Sequence, residues 1–204
     1  PPRRSTAEAL AVYFKPRVLI VLLLGFSSGL PLALAGSTLA VWLTESHIDL
    51  ATIGLFSLVG LPYTFKFLWA PIIDAIDVPI LSRWLGRRRG WLLFSQFLLV
   101  AAIIFLAFCD PISSLPLIIF GAVLVATASA TQDIVVDAFR VESLAISEQG
   151  AGMAGYVAAY RIGMLASGAG VLVLVAWLEH IGIARSDVWM WGYFGAAGAM
   201  IIGM

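Results

Sequence analysis

Cysteine is almost missing. Cys109 is the only one in 204 residues, which excludes an internal disulfide and a cysteine-built metal cluster. Histidine is nearly as scarce: His47 and His180 sit in separate short polar stretches with no second histidine or cysteine beside either, so no metal site is expected. Charge is sparse as well, at 12% of residues, where a soluble globular domain carries about 25%. The acidic and basic residues cancel, which removes the electrostatic basis for nucleic-acid binding. No Walker loop, catalytic triad or nucleotide fingerprint occurs, so no catalytic residue, enzyme activity or cofactor is expected. The first apolar run is too long for the core of a cleavable signal peptide, and none is expected.

What is abundant is apolar: 61% of the chain. A bilayer core of about 30 Å needs roughly 20 apolar residues per helix. Six runs meet or approach that length, near 17–43, 50–74, 91–109, 114–138, 150–178 and 188–204. The expected class is an all-α membrane protein: a polar N-terminal segment over 1–16, then a six-helix transmembrane bundle over 17–204. The chain starts without Met and stops at Met204 inside an apolar run, so a piece of a longer protein is expected.

Orientation follows from the basic residues. Arg3, Arg4, Lys15, Arg17, Arg83, Arg87, Arg88, Arg89 and Arg140 fall on one side of the expected bundle and only Arg185 on the other, which predicts a cytoplasmic N-terminus. Trp42, Trp177, Trp189 and Trp191 would mark the outer boundary, and Trp84 and Trp91 the inner one.

The chemistry gathers in Ala128-Ser129-Ala130-Thr131-Gln132-Asp133-Ile134-Val135-Val136-Asp137-Ala138-Phe139-Arg140, at the end of the fourth run. Asp133 and Asp137 share a helical face by their spacing of four. A carboxylate facing lipid is unfavourable, so that face should look into the bundle or a wet cavity. Lys66 lies about 12 Å from the inner end of the second helix, and Arg161 is near the middle of the fifth. Asp133 is the candidate proton-coupling acid, because burial and a nearby Lys66 or Arg161 pull its protonation in opposite directions. Asp137 is the second candidate for the coupling proton, and it can instead serve as a local partner of Arg140 or a loop arginine. A purely structural ion-pair network is the competing reading. Tyr63, Trp69, Tyr156 and Tyr160 can stack on sugar rings or simply pack.

Two further features are structural. Gly25 and Gly29 have the GxxxG spacing that lets another helix come close, and Pro31 removes a donor and should kink the first helix. The run near 150–178 is rich in small residues, Gly152, Gly155, Gly163 and Gly168 among them, which suits helix association. Asp74 and the cluster Arg87, Arg88 and Arg89, read as a loop before the third helix, can latch neighbouring helices on the inner side.

Several blocks together resemble the AmpG-type muropeptide permeases: Phe65-Lys66-Phe67-Leu68-Trp69-Ala70-Pro71 with Asp74, Gly86-Arg87-Arg88-Arg89-Gly90-Trp91-Leu92, Ala130-Thr131-Gln132-Asp133-Ile134-Val135-Val136-Asp137-Ala138, and Tyr160-Arg161-Ile162-Gly163-Met164. The likeness runs in order from about Arg17 onward. It implies the N-terminal half of a major facilitator superfamily symporter in the bacterial inner membrane, with a C-terminal six-helix half as the missing partner. It implies proton-driven import of anhydromuropeptides for peptidoglycan recycling, which feeds β-lactamase induction and antibiotic resistance. On that reading Lys66 and Arg161 attract substrate carboxylates, Gln132, Tyr63, Tyr156 and Tyr160 contact the sugars, and Asp133 takes the coupling proton. The loop before the third helix departs from the usual major-facilitator pattern in lacking its first glycine and in a longer gap. The Lys66 and Gln132-Asp133-Ile134 blocks also resemble acetyl-coenzyme A carriers. A membrane assembly module without transport is the third reading.

Overall fold

The computed structural model describes residues 11–203, which fold into a helical bundle. Eight helices are labelled here: α1 Pro16–Glu45, α2 Leu50–Leu68, α3 Ala70–Ala75, α4 Leu81–Leu85, α5 Arg87–Ala107, α6 Leu115–Ser143, α7 Gln149–His180 and α8 Arg185–Met200. Five of them, α1, α2, α5, α6 and α7, are long and apolar enough to cross a membrane. The sixth apolar run holds the shorter α8, extended by a 3-10 turn over Ile201–Gly203, which is not among the five. The chain is thus an all-α, multi-pass membrane protein. Arg3 and Arg4 lie outside the described residues.

Three expected boundaries are corrected. The second run is not one helix to residue 74. It passes through 3-10 turns at Phe56–Gly60 and Lys66–Leu68 and breaks at Trp69. Pro62 and Pro71 each lack an N–H donor and sit in the first turn of a new segment, which is where proline is tolerated. The third helix begins at Arg87, not Trp91, because Gly86 at φ +81° turns the chain directly into it. The three arginines are therefore the first turn of α5 and not a loop. The fourth helix runs on to Ser143, so Arg140 and Glu142 are helical.

Pro31 lies inside α1, and the chain answers it with a π segment at Leu34–Thr38. A second π segment, Ala166–Gly170, lies in α7. Wider turns of this kind disturb the regular carbonyl pairing and mark functional regions. Here the carbonyls find other donors. The Leu34 carbonyl accepts from Tyr193 Oη at 3.0 Å, and the Ser167 carbonyl accepts from Thr38 Oγ1 at 2.8 Å. The two irregular segments are thereby joined to each other and to α8.

Helices α1 and α7 make the closest pair. Gly25 and Gly29 face the backbone of Tyr156 and Tyr160, and Gly163 faces the carbonyl of Phe26. The GxxxG expectation holds, and the small residues of α7 meet α1 of the same chain. The main core lies between α1, α5, α6 and α8, with Leu30, Leu39, Leu99, Ile103, Val125 and Tyr193 fully buried. Trp42 and Trp189 are buried in it and stack at 5.8 Å, and Trp189 Nε1 donates to Glu45 at 3.0 Å. They are core residues, so the expected outer tryptophan belt is left to Trp177 and Trp191, both about half exposed.

One end of the bundle collects the ion pairs of the basic residues. Lys15 contacts Glu148 at 2.6 Å, and Arg17 donates to the Ser143 carbonyl at 3.4 Å. The N-terminal turn Val12–Phe14 is so clamped to the link between α6 and α7. The Lys15 hydrogen bond holds the Glu148 carboxyl below its ordinary value. A carboxyl depressed in the folded state stabilises it above its ordinary value of 4.5, and that contribution fades as pH falls through the lowered one. Amide exchange of residues 11–18, corrected for the intrinsic pH dependence, should therefore accelerate below pH 4.5. The Glu148→Gln variant should already exchange fast at neutral pH and show no acid step.

Candidate functional site

The site is built where α2 and α6 face each other beside α1 and α7. On α6, Ser129, Gln132 and Asp133 follow the helical spacing of three and four, so their side chains share one face. Gln132 and Asp133 are buried. On α2, the 3-10 turn Lys66–Leu68 brings Lys66 Nζ to 4.0 Å from Asp133 Oδ2. That distance is an ion pair without a tight hydrogen bond. The side chain of Lys66 keeps 34% of its surface exposed and that of Asp133 only 12%, so the pair lies at the wall of the bundle and opens on the lysine side.

Around the pair the groups are polar and incompletely satisfied. Gln132 Nε2 donates to Ser28 Oγ on α1 at 3.4 Å. Trp69 Nε1 donates to Thr131 Oγ1 at 3.2 Å, which fixes the broken end of α2 against α6. Of five buried side-chain oxygens without a hydrogen-bond partner among the described residues, all but Gln96 Oε1 lie here: Tyr63 Oη, Ser129 Oγ, Gln132 Oε1 and Asp133 Oδ1. A buried polar atom without a partner is costly, and several on one wall mark a place made to hold something polar. On α7, Tyr156 and Tyr160 lie half-buried with ring centroids 6.1 Å apart.

Not every expected residue joins this cluster. Arg161 is exposed on α7 and lines a shallow cavity of about 370 Å³ with Leu32, Tyr160 and Met164. It forms no ion pair among the described residues, so the cation beside Asp133 is Lys66 and not Arg161. Asp137 pairs with Arg140 at 3.1 Å, one turn along α6, and the Arg140 guanidinium lies 5.5 Å above the Tyr156 ring. Asp137 is thereby engaged by Arg140 within its own helix.

The latch forms in part. Arg88 alone spans α3 and α6, contacting Asp74 and donating to Glu142 at 2.7 Å. Arg87 and Arg89 are exposed and make no ion pair among the described residues. Glu142 was not anticipated; it emerges only once α6 extends past residue 138. Ser28, Ser129 and Thr131 were also missed as contacts. The available signals were the place of Ser28 between Gly25 and Gly29 and the spacing of Ser129 from Asp133.

The chain is 48% identical over 173 residues to the anhydromuropeptide permease of Escherichia coli (strain K12), covering 85% of this chain and 34% of that protein. It is 41% identical over 158 residues to the putative transporter AmpG 4 of Rickettsia conorii, covering 78% of this chain and 38% of the relative. By sequence, this chain is a relative of the AmpG-type permeases. It spans about a third of the length of these curated relatives. Residues 17–114 also match the family model described as acetyl-coenzyme A transporter 1. The AmpG likeness reaches well past that segment, and an all-helical membrane bundle agrees with the N-terminal bundle of a major facilitator transporter. These relatives carry the names of a permease and a transporter.

Proposed function

We propose that this chain forms the N-terminal bundle of a proton-driven anhydromuropeptide importer of the bacterial inner membrane. The observation that carries the reading is the Lys66–Asp133 pair, set among unpartnered buried oxygens in a chain related to a permease of that name. Asp133 takes the coupling proton. Once neutral it releases Lys66, which then offers its charge to a substrate carboxylate. Arg161 offers a second cation from α7, and Gln132, Tyr63, Tyr156 and Tyr160 contact the sugars. A second bundle, within the remaining two thirds of such a protein's length, closes the site, because substrate sites of this transporter class lie between the two halves. The clustering of Lys15, Arg17, Arg88 and Arg140 at one end supports a cytoplasmic N-terminus. The proton gradient is the energy source, and no cofactor takes part. Recycled muropeptides reaching the cytoplasm would then act on β-lactamase induction.

The acetyl-coenzyme A reading has one observation in its favour, the family-model match. Phosphate-rich ligands want several cations, and this site offers only Lys66 and Arg161. The assembly-module reading rested on the small residues of α7, several of which already pack on α1 and on Leu144.

The test uses the full-length protein in vesicles with an imposed proton gradient and a labelled anhydromuropeptide. Asp133→Asn should abolish gradient-driven accumulation. Arg161→Ala should weaken apparent affinity about tenfold or more, since a hydrogen bond to a charged group is worth about 1.5–3 kcal/mol. Unaltered uptake by both variants would remove these roles. Accumulation of acetyl-coenzyme A in place of the muropeptide would remove the substrate assignment.

A further inference from the structure

We propose that the turn between α3 and α5 is a docking surface for anionic phospholipid: Ile80 and Trp84 enter the acyl boundary while Arg83, Arg87 and Arg89 hold the headgroup phosphate. A connection between membrane helices is ordinarily polar, yet this one displays large apolar side chains. Trp84 is 85% exposed, Ile80 67% and Ile76 53%.

That exposure does not come from a slack loop. Trp91 Nε1 donates to the Ile76 carbonyl at 2.7 Å, and Ser82 Oγ accepts from the Val78 N–H at 2.9 Å. Ile73 and Val78 are buried beneath the turn. α4 lies so close over the start of α5 that a Cβ on Gly90 would be 2.9 Å from the Ser82 nitrogen. The backbone is pinned at several points, and Trp84 and Ile80 still face outward. Ile80 has φ +71°, a left-handed conformation that a β-branched residue adopts only under strain. Left in water, that side chain would gain nothing to offset the strain; among acyl chains it would.

The charges complete the surface. Arg88 is committed to Asp74 and Glu142. Arg83, Arg87 and Arg89 are exposed and form no ion pair among the described residues; of the two acids that line the cavity beside Arg87 and Arg89, Glu142 is held by Arg88, which leaves Asp77 as the opposing charge. Guanidinium groups bind phosphate oxygens in a bidentate manner, and tryptophan settles at headgroup level. A soluble anion would satisfy the arginines alone. A phospholipid with net negative charge satisfies the arginines and the apolar pair together. The crossing helices α2 and α5 flank the turn, so it meets the headgroup layer of one leaflet as a continuation of the bundle's lipid-facing wall.

The experiment reconstitutes the full-length protein in nanodiscs of phosphatidylcholine doped with brominated phosphatidylglycerol or, separately, brominated phosphatidylcholine. The signal of Trp84 is the difference between the wild-type protein and Trp84→Phe. Quenching of that signal should show about fivefold enrichment of phosphatidylglycerol, the size expected from roughly one surface arginine's attraction to an anionic leaflet. The enrichment should vanish in Arg83→Gln/Arg87→Gln/Arg89→Gln and at high salt, and persist in the corresponding triple Lys variant, which keeps the charge. Equal quenching by both lipids overturns the proposal, because Trp84 would then sit in the interface without headgroup selection. No quenching by either overturns it as well, since Trp84 would be in water or under a protein partner.

Discussion

Replacing Lys66 with Met should destabilise the bundle by about 2–3 kcal/mol, and adding Asp133→Leu should recover most of that loss. Removing one member of a buried ion pair leaves its partner uncompensated, which costs about 3–5 kcal/mol in a dry interior. Lys66 keeps 34% of its side chain exposed, so solvent screening places this pair below that range. Asp133 is the deeper member, and its Oδ1 already lacks a partner among the described residues, so it carries most of the penalty when the lysine is removed. An apolar pair of similar volume carries no such penalty. The coupling is read as a double-mutant cycle on unfolding in mixed micelles, where interacting neighbours give energies outside simple additivity. The same double variant separates structure from transport. If it is stable but fails to accumulate substrate against the gradient, the pair serves coupling. If it accumulates normally, the pair is only a structural contact. Strict additivity of the two substitutions would mean that the 4.0 Å approach carries no interaction.

Much of this arrangement was readable from residue spacing, because membrane helices announce themselves by length and apolarity. The five helices long and apolar enough to cross a membrane fell close to five of the apolar runs, and the shorter α8 lies at the sixth. The spacing of Gly25 and Gly29 led correctly to a close helix contact, and the Asp133 face led correctly to a buried polar wall. What escaped depended on local backbone irregularity. The break at Trp69 lies beside Pro71 and the π segment in α1 beside Pro31, while the π segment in α7 forms in a stretch without proline, and no periodicity encodes any of the three. Glu142 escaped because charge was taken to end α6, whereas the Asp137–Arg140 and Arg88–Glu142 contacts carry the helix further. Arg161 illustrates the opposite error. Its depth in the chain suggested pairing with Asp133, but its direction around α7 is set by the glycine face turned to α1, which leaves Arg161 on the exposed side.

Gly29→Val should cost about 3 kcal/mol or more, the largest effect expected of any single substitution in α1. Overpacking a well-filled interior usually costs about 1–3 kcal/mol, because side chains can still shift. Here the obstacle is main chain. A Cβ at Gly29 would run into the Tyr160 carbonyl oxygen, and one at Gly163 would run into that of Phe26, so each helix uses its glycine to admit the other's backbone. Gly25 repeats the contact one turn away, where a Cβ would lie 2.6 Å from the Tyr156 carbonyl oxygen. Such approach lets Cα–H groups meet carbonyl oxygens and gives dense packing, the attraction available to helices surrounded by lipid. The helices have to separate to admit even one methyl group, and with them would move Tyr156 and Tyr160, whose backbones face Gly25 and Gly29. Substrate affinity should therefore fall even in the fraction that remains folded. Gly36→Ala is the control, since nothing lies within 4 Å of its Cβ, and it should be neutral or slightly stabilising because alanine is the better helix former. Unfolding of the two variants in mixed micelles, followed side by side, decides the point. If Gly29→Val and Gly36→Ala unfold alike, α1 and α7 do not meet backbone to backbone, and the tyrosines lose the support that sets them beside Asp133.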